Sequence, residues 1–176
     1  MSFEQVSFPE GALDGFASRV GTAIQASTVG RGLRIALACA EFNGGITCRL
    51  LEGALAGLKE TGVDRSDLTL VWVPGAFELP IAARGFALKG VVDAVICLGA
   101  VVRGDTGHYD FVAGQCAAGI QRVQLDTGVP VIFGVLTTDT LQQALERSLP
   151  DDTNKGYEAA TTAVKMVRLL SHPMLS

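Results

Sequence analysis

The stretch that decides the fold reads Gly99-Ala-Val-Val-Arg-Gly-Asp-Thr-Gly-His-Tyr-Asp110. Its first residues continue an apolar run that ends at Leu98, which is typical of a strand buried on both faces. A glycine-rich turn follows, and the residues from His108 onward have the spacing of a helix. Because the first N–H groups of a helix lack partners within it, they can bind an anion, and a histidine beside them can transfer a proton. The stretch therefore predicts a strand, a turn and a helix that together hold an anion and support acid–base chemistry.

The same turn nearly matches a nucleotide-binding P-loop. Gly99 and Gly104 have the spacing of that motif, and Thr106 stands where it has a serine or threonine. Asp105, however, occupies the position of the motif's lysine, and a carboxylate there would repel nucleotide phosphates. The sequence therefore excludes a P-loop NTPase.

The composition predicts one soluble domain with a large apolar core. Of the 176 residues, 48% are hydrophobic and 18% are charged, which favours a sheet covered on both faces or surfaces buried between subunits. The net charge of −4 and the 6% of aromatic residues argue against a nucleic-acid partner. No apolar run approaches the ~18 residues of a membrane span, and the acidic N-terminal residues are unlike a signal peptide. We therefore expect a cytoplasmic protein with no membrane partner.

Strand and helix patterns alternate along the chain after a mixed N-terminal segment. Residues 1–32 are interpreted as an arm and residues 33–176 as a single domain. Short connections between alternating strands and helices predict a three-layer α/β/α fold around a four-stranded parallel sheet with right-handed crossovers. The strands are expected at 34–40, 68–73, 94–102 and 130–136, and the helices at 46–61, 76–88, 108–127, 140–148 and 157–170.

Most side chains that could perform chemistry follow the ends of these strands, where parallel α/β sheets bind their ligands. The rule selects four segments, which are residues 40–43, 74–78, 101–108 and 137–139. Phe42 directly follows a strand, where its ring can stack on a planar heterocycle or only pack against a neighbour. Arg103 can pair with an anion or bridge to Asp105, and His108 can transfer a proton or only cap its helix.

The four cysteines predict no metal or disulfide chemistry. Cys39, Cys48, Cys97 and Cys116 form no CxxC pair, and no histidine lies at metal-ligand spacing from them. Three of them lie in apolar surroundings, which indicates small buried thiols in a reducing compartment. Motifs of serine hydrolases, zinc proteases and dinucleotide-binding enzymes do not occur at their required places. These residues therefore predict neither a metal site nor a dinucleotide-binding motif.

Several motifs occur in register along most of the chain. They are Glu41-Phe-Asn43, Trp72-Val-Pro-Gly-Ala-Phe-Glu78, Gly99 to Tyr109, Val129-Pro-Val-Ile-Phe-Gly-Val135, Glu146-Arg147 and Asn154-Lys-Gly156. With these motifs the chain resembles the 6,7-dimethyl-8-ribityllumazine synthase family from about Leu33 to Leu170. The resemblance implies a flavodoxin-like sheet and a transferase of the penultimate step of riboflavin biosynthesis. Such an enzyme condenses 5-amino-6-(D-ribitylamino)uracil with 3,4-dihydroxy-2-butanone 4-phosphate, without a cofactor, to give 6,7-dimethyl-8-ribityllumazine and phosphate.

The resemblance also implies a role for each candidate residue. By analogy, Phe42 stacks on the pyrimidinedione, the 76–78 segment holds the ribityl chain and the ring, and His108 shuttles protons. Asp105 and Thr106 bind the phosphate together with Arg147. The full substrate-binding set implied is Phe42, Asn43, Ala76, Phe77, Glu78, Ala100, Val101, Val102, Asp105, Thr106, Phe133, Arg147 and Lys155, of which Phe133, Arg147 and Lys155 would come from a neighbouring subunit.

The segment before Lys155 departs from the members of this family that form sixty-subunit shells. Those members resemble Gly-x-Lys-x-Gly-Asn there, whereas this chain has Leu149-Pro-Asp-Asp-Thr-Asn154, with two acids and no glycine pair. We therefore expect a homopentamer or a dimer of pentamers, with active sites between subunits. The rival hypothesis is a non-catalytic flavin- or pyrimidine-binding carrier on the same fold, in which Phe42 stacks and His108 only caps a helix.

Overall fold

The computed structural model describes residue 9 and residues 11–151 and 153–175. One parallel sheet contains β1 (Ile35–Ala40), β2 (Leu68–Val73), β3 (Ala94–Val102) and β4 (Val131–Thr138), in the order β2-β1-β3-β4. The described helices are α1 (Ala12–Ala17), α2 (Gly44–Glu60), α3 (Leu79–Lys89), α4 (His108–Thr127), α5 (Leu141–Glu146) and α6 (Lys155–Leu170). The prediction of a flavodoxin-like α/β fold with a four-stranded parallel sheet is confirmed.

The central strand β1 shows why helices cover both faces of the sheet. All six of its residues are buried, and successive side chains of a strand point to opposite faces. Ile35, Leu37 and Cys39 pack in the core formed with α2 and α6. The three alanines between and after them pack in the second core, with α3 and α4. A continuous apolar strand of this kind needs an apolar layer on each side.

The boundaries of several elements differ from the sequence-based expectation. β4 continues to Thr138, because the end of β3 is long enough to pair Val102 with it. The residues expected to open a helix at 76 form a single 3-10 turn before α3 begins at Leu79. α6 begins at Lys155, two residues before its expected start, because the Asn154 side chain accepts hydrogen bonds from the first N–H groups of the helix.

The segment before β1 contacts α6 through its last residues. α1 has no buried residue, and residues 22–30 have no regular secondary structure. Arg168 of α6 then holds the chain, since its Nε and Nη2 atoms donate to the carbonyl oxygens of Val29 and Arg31, both at 2.7 Å. Residues 1–8 and 10 of the expected arm lie outside the described residues.

Candidate active site

The carboxyl ends of β1 and β3 lie side by side, and the chain leaves them toward opposite faces of the sheet. After β1 it enters α2, and after β3 it enters α4 on the other face. Open α/β sheets bind ligands in the crevice between two such loops. A cavity of about 610 Å³ lies there, and we call it the β1/β3 cavity. The predicted residues that line it are Phe42, Asn43, Ala76, Phe77, Glu78, Ala100, Val101, Val102, Thr106 and His108.

The turn after β1 holds an aromatic ring at the mouth of this cavity. Phe42 donates its N–H to the Pro74 carbonyl oxygen at 3.1 Å, yet its side chain is 72% exposed. Asn43 has a left-handed backbone with φ of 58°, and its Nδ2 donates to the Ala100 carbonyl oxygen at 2.8 Å. The ring is therefore fixed at its backbone but leaves a surface that can stack on a flat ligand.

The turn after β2 brings a carboxylate to the same cavity. Glu78 is half-buried, and its N–H donates to the Gly75 carbonyl oxygen at 3.2 Å. A Cβ atom on Gly75 would lie only 3.2 Å from Glu78 Oε2, so the glycine leaves room for the carboxylate to fold back over the turn. Ala76 beside it is buried, whereas Phe77 is 54% exposed. This segment can accept hydrogen bonds from hydroxyl or ring N–H groups of a ligand.

The turn between β3 and α4 has the features of an anion-binding loop. His108 donates its N–H to Thr106 Oγ1 at 3.4 Å. In the described part of the chain, the N–H groups of residues 104–107 have no hydrogen-bond partner. Unpaired N–H groups that precede a helix attract negative charge. Asp105 is exposed and does not line the cavity, so its contribution to anion binding would be the N–H group and not the carboxylate.

Arg103 does not bridge to Asp105, which is one of the two arrangements that the sequence suggests; its carboxylate partners are Asp139 and Asp110. Its Nε atom lies 2.9 Å from Asp139 Oδ1, and its Nη1 atom lies 3.2 Å from Asp110 Oδ1. The guanidinium also stacks on the ring of Tyr109, with 4.0 Å between its central carbon and the ring centroid. The hydrogen bond to Asp139 raises the pKa of Arg103 above its usual value. Arg103 therefore contacts two carboxylates and one aromatic ring of its own chain.

Phe133, Arg147 and Lys155 lie together in a different place, which we call the β4 groove. It encloses about 780 Å³ along the edge strand β4, and of the described residues none lines both it and the β1/β3 cavity. Lys155 donates its N–H to the Arg147 carbonyl oxygen at 3.0 Å, and its Nζ lies 2.6 Å from Glu158 Oε1. Within one chain, the predicted site residues therefore form two separate groups.

The fourth strand-end segment does not join the other three. Thr137 and Thr138 line the β4 groove, and Asp139 reaches Arg103. Sequence reasoning also assigned no role to Tyr109, Phe111 and Val112, which line the β1/β3 cavity. A helical signal was present for two of them, because Phe111 and Val112 follow His108 by three and four residues and so share its face of α4.

The thiols agree with their interpretation as small core residues. Cys39, Cys97 and Cys116 are buried, and Cys48 is exposed. Burial raises the pKa of the Cys39 and Cys116 thiols to about 12 and that of the Cys97 thiol further still, so all three remain neutral and poorly nucleophilic. Among the described residues, no three His, Cys, Asp or Glu side chains are grouped so as to hold a metal ion. In the same part of the chain, no helix has both the length and the apolar character needed to cross a bilayer.

The chain matches the model of a known protein family. The family model described as 6,7-dimethyl-8-ribityllumazine synthase matches residues 32–171. The matched region contains the four strands of the sheet, both groups of candidate residues and all the described helices except α1. The match begins one residue after Arg31, whose carbonyl oxygen accepts a hydrogen bond from Arg168.

Proposed function

The chain belongs to the 6,7-dimethyl-8-ribityllumazine synthase family of riboflavin biosynthesis, and we propose that it catalyses the condensation of 5-amino-6-(D-ribitylamino)uracil with 3,4-dihydroxy-2-butanone 4-phosphate. The observation that carries this proposal is the β1/β3 cavity, which unites an exposed ring, a carboxylate, an anion-binding loop and a histidine. Two reactants, one planar and one phosphorylated, need these groups in one place.

The planar substrate fits the half of the cavity formed by the β1 and β2 ends. Phe42 would stack on the pyrimidinedione, and Asn43 would keep that turn on β3 through its bond to Ala100. The backbone of Ala76 and Phe77 and the Glu78 carboxylate would hold the ribityl chain and the ring. Ala100, Val101 and Val102 would form the wall behind the ring.

The phosphorylated substrate fits the other half, at the start of α4. The N–H groups of Gly104, Asp105 and Thr106 would bind its phosphate, since they have no partner among the described residues. An amine of the uracil attacks the ketone, and loss of water gives an imine. Loss of a proton from the adjacent C–H bond then expels the phosphate and leaves an enol, which takes up a proton on its terminal carbon to become a ketone. The ribitylamino nitrogen attacks this ketone and closes the ring with loss of a second water.

His108 would carry the protons that these steps require. Each addition needs a proton on the carbonyl oxygen, each dehydration needs one on a departing hydroxyl, and the elimination needs a base. A single histidine can perform all of them in turn because its ring accepts a proton in the neutral form and donates one in the charged form. His108 lines the same cavity as Gly104 and Thr106 of the anion-binding loop, so it would lie near the departing phosphate.

We infer in addition that the protein is a homopentamer, or a dimer of pentamers, with each active site completed by a neighbouring subunit. In support of this inference, Phe133, Arg147 and Lys155 lie in the β4 groove and not in the cavity of their own chain. Large apolar side chains that line the cavity are also exposed in the single chain, among them Phe77 and Phe111, and such surfaces mark subunit contacts. Residues 1–32 would form an arm outside the single domain.

Light scattering tests the assembly. Five chains of 18.4 kDa give a particle of about 92 kDa and a decamer of about twice that mass. The sequence Leu149-Pro-Asp-Asp-Thr-Asn154 before Lys155 lacks the glycines of the shell-forming members. Asp152 in this sequence lies outside the described residues. A particle near a megadalton would contradict the pentamer.

The activity itself is tested by mixing the purified protein with both substrates and following the absorbance of the lumazine. Product should form well above the uncatalysed rate, with one phosphate released for each lumazine. Binding of the uracil without any acceleration of product formation would identify a carrier in place of an enzyme.

A further inference from the structure

Arg103 links two parts of the chain that are far apart in sequence. It directly precedes the anion-binding loop, and its N–H donates to the Thr138 carbonyl oxygen at 2.8 Å. Its side chain then contacts Asp139, at the start of the β4–α5 connection, and Asp110, in the first turn of α4. The ring of Tyr109 supports the guanidinium at 4.0 Å. The Arg103 side chain therefore links the residue before the loop to the first turn of α4 and to the neighbouring β4–α5 connection.

Arg103 also compensates negative charge beside the anion-binding loop. The exposed carboxylates of Asp105, Asp110 and Asp139 all lie on or beside the loop, and each would repel a phosphate. Arg103 forms ion pairs with two of the three. Without it, an incoming phosphate would meet the unpaired N–H groups of residues 104–107 and three uncompensated carboxylates at the same place.

We propose that Arg103 is a positioning residue that sets the affinity of the anion-binding loop for the phosphorylated substrate, without contacting that substrate itself. The inference rests on the proposed function, because that function puts a phosphate on the loop. Two guanidinium nitrogens already donate to carboxylates, and one face of the group lies on Tyr109. Arg103 therefore acts on the phosphate through the loop geometry and through the charges of Asp110 and Asp139.

The effect of Arg103 should be measured on phosphate binding and not on the stability of the fold. The Arg103 side chain is 43% exposed, and its partners are 65% and 67% exposed, so the two pairs contribute little to the stability of the fold. A small displacement of groups that hold a reacting phosphate, in contrast, strongly changes binding and rate. Lysine keeps the charge but lacks the planar fork that bridges two carboxylates and stacks on a ring.

The experiment compares Arg103→Gln, Arg103→Lys and Asp139→Asn with the control Arg122→Gln. Arg122 forms an exposed ion pair with Asp126 at 3.3 Å. Both residues lie in the second half of α4, away from the loop. For each variant we measure kcat, the KM of each substrate, the inhibition constant of inorganic phosphate and the melting temperature. Calorimetric titration with inorganic phosphate measures loop affinity without any turnover.

For Arg103→Gln we expect the KM of the butanone phosphate and the dissociation constant of inorganic phosphate to rise about tenfold. The KM of the uracil and the melting temperature should stay close to those of the control. Arg103→Lys should not restore phosphate affinity. Asp139→Asn removes a repelling carboxylate together with a contact that positions Arg103, so these opposing effects should change phosphate affinity by a smaller factor than Arg103→Gln does.

Equal behaviour of Arg103→Gln and Arg122→Gln would overturn the inference. So would a parallel rise of both KM values with a lower melting temperature, because that result indicates a structural role alone. If the wild-type protein forms no lumazine, the proposed function fails, and the phosphate titration still decides whether Arg103 controls the loop.

Discussion

His108 is the first residue of α4, and this position determines what its imidazole can reach. The N–H groups of residues 104–107 lie within one turn of it, so a phosphate bound there would have the imidazole beside it. When the C–O bond to phosphate breaks, negative charge accumulates on the leaving oxygen, and a proton is lost from a neighbouring carbon. A base and an anion-binding loop on consecutive residues serve both changes at once.

Replacing His108 by alanine should lower the rate and spare ligand binding. General acid–base catalysis contributes about 100-fold to 10,000-fold, so kcat for His108→Ala should fall by about 100-fold or more. The dissociation constant of a non-reactive uracil analogue should change little, because Phe42 and Glu78 remain. The control is His172→Ala, which removes a histidine from the C-terminal segment beyond α6 and should leave kcat unchanged. Loss of analogue binding in His108→Ala would refute the proton-transfer role.

Asp105 carries the one carboxylate of the anion-binding loop that Arg103 does not neutralise. Because we assign phosphate binding to its N–H group, Asp105→Asn should keep that donor and remove a repulsive charge. The KM of the butanone phosphate should then fall about two- to threefold at low ionic strength, and the difference should disappear in high salt. The matched control is Asp126→Asn near the C-terminal end of α4, about 27 Å along the helix axis from the first residue of that helix. A higher KM in Asp105→Asn would show that the carboxylate itself contributes to binding.

The contact between α2 and α6 explains the Asn154-Lys-Gly156 motif at the level of elements. Asn154 is 1% exposed; its Oδ1 accepts from the N–H of Gly156 at 2.8 Å, and its Nδ2 donates to the Leu149 carbonyl oxygen at 2.8 Å. A Cβ atom on Gly156 would overlap the Leu50 carbonyl group of α2. The motif therefore brings the two helices into backbone contact and fixes the start of α6, from which Lys155 reaches the β4 groove.

Gly156→Ala should destabilise the fold because a backbone carbonyl cannot rotate away as a side chain can. We expect the free energy of unfolding to fall by about 2 kcal/mol or more, the size of an overpacking defect. Gly85→Ala in α3 is the control, since a Cβ there meets nothing within 4 Å and alanine stabilises a helix by up to about 1 kcal/mol. Urea denaturation at equal protein concentration measures both. Equal effects of the two substitutions would contradict the close contact of α2 and α6.

The elements were predictable to the extent that their signals are local. β2, β3 and α4 begin and end where the sequence indicates, because apolar runs and flanking glycines mark them. The start of α6 was not predictable from periodicity, since it depends on Asn154, whose Nδ2 also donates to the Arg49 carbonyl oxygen in α2. The partners of Arg103 were missed for the same reason, as Asp139 is 36 positions away. Sequence reasoning selected the strand ends but could not tell which ends share a cavity, because that depends on strand order.

At the scale of the whole molecule, the proposed site residues of one chain form two separate groups, one in the β1/β3 cavity and one in the β4 groove. The β1/β3 cavity has the proposed base, the stacking ring and the anion-binding loop. The β4 groove has Arg147, Lys155 and Phe133. If the groove of one subunit covers the cavity of the next, the contact joins two different surfaces, and repeating such a contact around an axis closes a ring. A ring of this kind has as many complete sites as subunits.

Subunit mixing tests this arrangement directly. His108→Ala damages only the cavity, and Arg147→Ala damages only the β4 groove, so neither variant alone should form lumazine at an appreciable rate. In mixed rings assembled at random from equal amounts, about one contact in four pairs an intact cavity with an intact groove. Co-expressed or reassembled mixtures should therefore regain about a quarter of the wild-type activity, whereas unmixed variants combined after assembly should not. The control mixture of His108→Ala with Glu78→Ala, which damages the same cavity twice, should regain none. Absence of recovery in well-mixed rings would show that both groups act within one chain.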